Sequence, residues 1–298
     1  MSAGPASPVA HGLWRWRPAP SATRVTLVAL PVLLVVAWLY VLGGERGGAG
    51  DLVAARTWER SWAFLRSLLG ARTELTPRGG DLVFLDPARW WEMARLAYAT
   101  LAMSVLAIWL SVIGMLATVM LGARPDEDGT LRGPWRVVRY GLFAGVRATW
   151  VISRSIPELV WALMLIFVMP PGLLAGAVAL GLHNFGIVGK LCSEVVEDLD
   201  RRPARALRAA GAGSAQRLLY GVLPQAAPQF LTFALYRWEV IIRTTIVVGF
   251  VSAAGLGREF RLAMSFFHYT DVALVLATYF VLVIAVDLMS GWMRGLAR

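Results

Sequence analysis

Arg237, Glu239 and Arg243 fall close together inside an apolar run, residues 226–251, of a 298-residue chain. A guanidinium is a planar fork that donates parallel hydrogen bonds to carboxylate or phosphate oxygens, so arginines in such a place can bind an oxyanion. They can equally hold helices together. Glu239 and Arg243 are spaced i to i+4 with the acid first, the favourable order for an ion pair on one helix. That spacing predicts a self-neutralised pair and leaves Arg237 to find its partner on another segment. Arg154 and Glu158 repeat the spacing in reverse order around Pro157, which predicts a second pair, and His183 and Asn184 lie in the next apolar stretch. Ionisable groups at bilayer depth cost about 2.5–3.5 kcal/mol each on insertion scales, so those retained face a partner or an aqueous path. Bracing between helices and lining of an anion path are both open for Arg237 and Arg243, as are packing and path lining for His183 and Asn184.

Enzymatic chemistry is not indicated by these residues. The chain has no HExxH motif, and His183 has no serine in a GxSx frame. Cys192 is the only cysteine, which excludes an internal disulfide and any CxxC metal site. His11, His183 and His268 are far apart and in no ligand spacing. There is no GxxxxGK[ST] to cradle nucleotide phosphates. No catalytic residue, metal or resident cofactor is expected.

The elements that must position these groups are membrane spans. Hydrophobic residues make up 57% of the chain and charged residues 16%, which does not fit an ordinary soluble surface. Residues 25–42 and 96–123 carry no charge and are long enough to cross the hydrocarbon as helix. Residues 155–189, broken by Pro170-Pro171-Gly172, are expected to form two short spans joined by a tight turn, and 226–251 and 272–290 two more. The expectation is an all-α membrane protein with six transmembrane helices. The first run follows a proline-containing tail and exceeds a signal peptide's apolar core, so it reads as a retained anchor. The net charge of +10 resides in arginines flanking apolar runs, the pattern of membrane topology and anionic lipid rather than of nucleic-acid binding.

Arg15, Arg17 and Arg24 precede the first span without an acid, which places the N-terminal tail, residues 1–24, in the cytoplasm. Six spans return residues 291–298 to the same side. The loop 43–95 then lies outside, and within it Trp58, Trp62, Leu65 and Leu69 recur at helical spacing. They predict an amphipathic helix lying on the membrane or the bundle, or else a docking surface. Arg132, Arg136, Arg139, Arg147 and Arg154 agree with a cytoplasmic segment 124–154, and the count delivers residues 190–225 to the cytoplasm as well.

That segment is built as an elbow. The acids Glu194, Glu197, Asp198 and Asp200 precede Pro203, which suits the first turn of a new short helix. Ala204, Ala206, Leu207, Ala209 and Ala210 sustain the helix and Gly211 offers the left-handed cap that ends it. Ser214 can cap a following helix, which Leu223-Pro224 is expected to break. A short helix fixed at both ends transmits displacement to the spans it joins, as a motor on a separate subunit would require.

The spacing from Ala206 to Gly211, and on to Gly221-Val222-Leu223-Pro224, resembles the EAA signature (E-A-A, three residues, G, nine residues, I-x-L-P) of bacterial ABC importer permeases. Arg205 stands where that signature has Glu, Leu207 where it often has Ala, and Gly221 where it has Ile. The run YGVLPQAAPQFLTFALYRWEVIIRTTIVVGFVSAAGLG, residues 220–257, resembles the phosphonate-type members, as do residues 154–167 and 179–197. The likeness covers residues 96–290. It implies a type I ABC importer permease fold in the bacterial inner membrane, with Glu197, Asp198, Pro203, Arg205, Ala206, Leu207, Gly211, Ala212, Gly213, Leu223 and Pro224 at the contact with a separate ATPase subunit that holds ATP and Mg. It also implies an extracytoplasmic phosphonate-binding protein, a second permease copy, and a phosphonate or related phosphorus oxyanion as cargo. Methionine or an osmolyte is the alternative cargo on the same architecture.

Overall fold

A polypeptide in hydrocarbon must satisfy its own backbone, and helices do so within one segment. The computed structural model describes residues 20–43, 54–76, 83–124, 134–252 and 254–296, and all regular structure among them is helical. Residues 1–19 of the expected tail, with Arg132 and Arg298, lie outside the described residues. The chain divides into two units, Met1–Ala63 and Phe64–Arg298. In the first, helix α1 (Pro20–Leu42) presents exposed apolar side chains along its length, and α2 (Ala55–Leu68) is the expected amphipathic helix with Trp58, Trp62 and Leu65 exposed. The end of α2 enters the second unit, where Phe64 meets Tyr269 edge-on at 5.5 Å.

The second unit begins with α3 (Pro87–Gly122), started by Asp86, whose carboxylate accepts from the Ala88 N–H at 2.9 Å. Its 36 residues exceed what the hydrocarbon requires. The helix was expected from residue 96; the nine residues before it carry Arg89, Trp90, Trp91, Glu92 and Arg95, side chains suited to the interface where a helix leaves the membrane.

Over most of the segment 124–154, to which its arginines assign a side but no element, the chain forms α4 (Pro134–Ser155). The reason is on its own face. Arg139 donates to the carbonyls of Met120 at 2.8 Å, Leu121 at 2.7 Å and Ala123 at 3.0 Å, and Arg147 Nε to that of Gly122 at 3.0 Å. These arginines satisfy the carbonyls that the C-terminus of α3 leaves open. After a break at Ile156-Pro157 the chain forms α5 (Glu158–Leu165), and then α6 (Leu173–Asp198). The two short spans expected across 155–189 are therefore one eight-residue helix and one continuous 26-residue helix. Trp161 Nε1 reaches back over the break to the Ser153 carbonyl at 3.0 Å.

The helix α6 packs against α3, α4, α5 and the later α9. Small residues make this possible: Ala175, Gly176, Ala177, Ala179, Gly181, Gly186 and Gly189 are buried on it. A Cβ at Gly186 would lie 2.4 Å from the Trp150 carbonyl oxygen and 2.8 Å from the Arg154 nitrogen, so α4 and α6 touch backbone to backbone. Ser111 Oγ donates across to the Gly181 carbonyl at 2.9 Å.

Beyond a short helix α7 (Arg202–Ala209) and one turn α8 (Ser214–Arg217), a π-helical turn (Leu218–Val222) runs into α9 (Leu223–Ser252). Then follow α10 (Gly255–Ser265) and α11 (Tyr269–Leu296). Gly249 and Gly257 are close-packing residues: a Cβ on the first would lie 2.9 Å from the Cα of the second, and one on Gly257 2.3 Å from the Ile246 carbonyl oxygen. Gly255 has φ +60, and Thr100 Oγ1 beside it accepts from the Leu256 N–H at 2.9 Å.

Four described helices, α1, α3, α6 and α11, are long and apolar enough to cross a membrane, and α9 with α10, bent by 52°, forms a fifth candidate. The span expected from the first half of 155–189 is the eight-residue α5, too short to cross alone.

Substituting Gly186→Val is expected to lower the stability of the detergent-purified protein by about 1–3 kcal/mol, as overpacking does where backbone cannot yield. Gly141→Ala, whose added Cβ meets nothing within 4 Å, should leave it unchanged or raise it. Thermal unfolding of the two variants checks this.

Candidate functional site

The elbow between α6 and α9 is assembled from turn chemistry. Helix α6 runs on to Asp198, so the expected separate helix at 194–200 is its last turns. The chain turns at Leu199, and Asp200 Oδ1 accepts from the Arg202 N–H at 3.0 Å to start α7 with Pro203 in its first turn. Gly211 has φ +83, the Ala212 N–H donates to the Leu207 carbonyl at 3.0 Å, and the Gly211 N–H donates to that of Arg208 at 3.0 Å. This is the Schellman arrangement that the glycine predicted. Gln216 Oε1 accepts from the Gly213 N–H at 2.9 Å, so Gly213 stands in the cap position before α8 and Ser214 is the first helical residue. Pro224 does not break the helix. It lies in the first turn of α9, where a missing N–H is harmless.

The face α7 shows is set by how it rests. A Cβ on Gly221 would lie 3.1 Å from Ala204 Cα and 3.2 Å from Leu207 Cδ1, so Ala204 and Leu207 press on the π-helical turn. Arg205, Ala206, Arg208 and Ala209 are turned outward and exposed. Asp198 and Gly213 are also exposed and Ala212 half-buried. Glu197 is occupied elsewhere: it accepts from Arg147 Nη2 at 2.5 Å and from the Arg124 N–H at 3.0 Å, tying the C-terminal ends of α3 and α6 to the middle of α4. Beside the elbow, Leu116, Met120, Val196, Leu218, Leu223 and Phe230 help line an apolar cavity of about 230 Å³.

Within the spans, the two ion pairs predicted along single helices are both replaced by pairs between helices. Arg243 Nη2 lies 2.6 Å from Asp287 Oδ2, and Glu239 Oε1 lies 2.5 Å from Arg294 Nη1, both partners on α11. Antiparallel packing of α9 on α11 supplies partners that the i+4 neighbour would otherwise provide. Tyr279 Oη donates to the Arg243 carbonyl at 2.7 Å and Ser290 Oγ to that of Leu235 at 3.3 Å, fixing the register. Trp238 Nε1 donates to Ser104 Oγ on α3 at 3.1 Å.

Arg237 finds its partner on another segment, as expected. Its Nε and Nη2 donate to Asn184 Oδ1 at 2.9 and 2.6 Å, while Asn184 Nδ2 donates to the Leu180 carbonyl at 2.8 Å. Glu158 does not pair with Arg154, because Pro157 ends the helix that would align them. It faces His183 Nε2 at 3.5 Å, and His183 Nδ1 is 2.9 Å from the Ile156 carbonyl. Arg154 makes no ion pair among the described residues. Asp287 and Arg294 are the functional residues that spacing alone did not assign; the only signal available was an acid placed near the end of an apolar run. No group of three metal-ligating side chains occurs among the described residues.

Neutrality follows: Arg237, Arg243 and Arg294 stand against Glu158, Glu239 and Asp287. Among the exposed residues of α9, Gln229, Thr232, Tyr236 and Arg243 share one side of the helix with Val247, at 100° per residue. A polar side on a membrane helix faces water or another protein surface rather than lipid.

Residues 142–297 match the family described as binding-protein-dependent transport system inner membrane component. The chain is 34% identical over 228 residues to a phosphite transport system permease protein of Stutzerimonas stutzeri, covering 76% of this chain and 79% of the relative. It is 30% identical over 205 residues to a phosphate-import permease protein of Mycolicibacterium smegmatis, covering 69% of this chain and 36% of that one. Among solved structures, an inward-facing form of the MetNI methionine ABC transporter aligns with a TM-score of 0.61 at 21% identity, over 72% of this chain and all of the other.

Removing the Asn184 side chain leaves the Arg237 guanidinium without its acceptor. Asn184→Leu and Arg237→Met are each expected to destabilise the protein by about 1.5–3 kcal/mol, the worth of a hydrogen bond to a charged group. The double variant should lose less than the sum of the two, which thermal unfolding of all three variants measures.

Proposed function

The chain belongs to the family of binding-protein-dependent transport inner membrane components, as a permease subunit of an ABC importer in the inner membrane, and we propose from this that its cargo is phosphite or a related phosphorus oxyanion. The observation that carries the proposal is the 34% identity to a permease named for phosphite, over most of both chains. A permease named for phosphate import agrees in chemical class. Methionine is favoured by no comparable relative, since the methionine transporter shares the fold at 21% identity. Arginines on and beside the polar side of α9 suit an anion that must shed water on its way.

Two copies are proposed to enclose the path between their α9 helices, fed from outside by a phosphite-binding protein. Both termini lie in the cytoplasm on this reading, with residues 43–95 outside and α4 with α5 completing the sixth crossing. A separate ATPase docks on α7, where Arg205 and Arg208 call for acidic groups on the motor surface. Glu197 supports this contact from behind, through Arg147. Closure of the motors on ATP draws the two elbows together and opens the path outward; hydrolysis returns it.

The test is reconstitution of the permease with its ATPase and binding protein in liposomes. Phosphite should stimulate ATP hydrolysis and be taken up, and methionine should do neither; stimulation by methionine instead would discard the proposal. In the same preparation Gly211→Pro, which cannot adopt φ +83 and lacks the N–H given to Arg208, should reduce stimulated ATPase by about tenfold or more. Unchanged coupling in that variant would remove the elbow from the motor contact.

A further inference from the structure

The two ion pairs between α9 and α11 are not equivalent. Glu239 and Arg294 are enclosed, with side chains 11% and 27% exposed, and Ser290 Oγ adds a third contact at 2.8 Å from Arg294 Nη1. Each pair meets through one nitrogen and one oxygen, but Arg243 and Asp287 are 48% and 38% exposed and no third side chain hydrogen-bonds to their charged groups among the described residues. Asp287 Oδ1 is buried and has no hydrogen-bond partner among the described residues. An unpartnered buried oxygen carries its full desolvation cost, which a pair kept only for bracing would leave unrelieved. The Arg243 carbonyl is held independently by Tyr279 Oη at 2.7 Å, so the backbone here does not rely on the ion pair for its position. The guanidinium lies on the polar side of α9, in line with Gln229, Thr232 and Tyr236.

We propose that Arg243 is an anion-binding residue of the path and that Asp287 is its resident counter-ion, occupying with its own carboxylate the place a phosphorus oxyanion takes in transit. The inference rests on the phosphorus-oxyanion reading given above. A carboxylate and a phosphite both offer paired oxygens to a guanidinium, so one replaces the other without rearranging α9. The displaced carboxylate stays close and repels the anion it has admitted. Affinity at the site is therefore low, as transit requires, since a solute bound too well does not leave. In the absence of solute the pair is neutral, so no uncompensated cation faces the path.

Equilibrium binding of radiolabelled phosphite to the purified permease–ATPase complex, and phosphite uptake by the complex with its binding protein in liposomes, test the assignment. Asp287→Asn should tighten phosphite binding by about tenfold or more, one charge-assisted interaction, and slow uptake. Arg243→Gln should abolish binding whether or not Asp287 is also changed. The exchanged variant Arg243→Asp with Asp287→Arg restores opposite charges and serves if the single variants assemble poorly. It should assemble with the ATPase and fail to import phosphite. Import by the exchanged variant at the wild-type rate, or unaltered phosphite affinity in Asp287→Asn, overturns the proposal and leaves the cargo reading standing. Failure of the unmodified complex to import phosphite rejects the cargo reading itself.

Discussion

A charge inside hydrocarbon must be matched or wetted, and the inner architecture of this bundle follows from that requirement. The acids Glu158, Glu239 and Asp287 and the arginines Arg237, Arg243 and Arg294 are distributed over α5, α9 and α11, so their neutrality is reached only when these helices come together in one register. Glu239 with Arg294 holds α9 to α11, while Arg243 and Asp287 neutralise each other across the same seam. Arg237 locks α9 to α6 through Asn184. A shift of one helical turn would strand several charges at once, a far larger penalty than the loss of ordinary apolar contacts.

Such pairing is possible because the backbones approach closely. Side chains as short as Asn184 and Asp287 can reach across only where small residues remove the space between helices. Gly186 and Gly189 set α6 against Trp150 on α4, and Gly249 and Gly257 seat α10 against the end of α9. At the C-terminus of α3 the same problem takes a different form. Its open carbonyls are taken by Arg139 and Arg147, and Glu197 balances Arg147, so arginines that read in the sequence as topology signals also finish a helix.

The helical class, the positions of α1, α3, α9 and α11, and the elbow from Pro203 to Gly211 were legible because each depends on local chemistry: apolar length, a proline in a first turn, a left-handed cap. The partners of Glu239 and Arg243 were not. Spacing along one helix proposes i+4 neighbours, while Asp287 and Arg294 come close only through antiparallel packing, which no local pattern encodes. Pro157 was visible, but its consequence was misjudged: it separates Glu158 from Arg154 and frees the acid for His183. Pro224 was misjudged in the opposite sense, since a proline opening a helix resembles one closing it until the π-helical turn before it is seen. The helix α4 was missed because its arginines read as topology, whereas they also cap α3.

Elbow and charged pair are joined by one piece of backbone. From Leu223 to Ser252 helix α9 is continuous, and Arg243 stands 20 residues beyond its start, about 30 Å along a rigid rod. At its near end α9 continues the turn on which Ala204 and Leu207 of α7 rest. Asp287 belongs to α11, which has no such attachment to the elbow. A motor pushing α7 on the proposed reading therefore moves Arg243 with α9 and reaches Asp287 only through packing contacts, with α9 and with α10 and α3. Ion pairs weaken steeply as they lengthen and hydrate, so a displacement of an ångström or two at this single-point contact suffices to expose the guanidinium. The enclosed Glu239–Arg294 pair, supported by Ser290, resists the same displacement, so on the proposed reading a push at the elbow loosens the more exposed pair first.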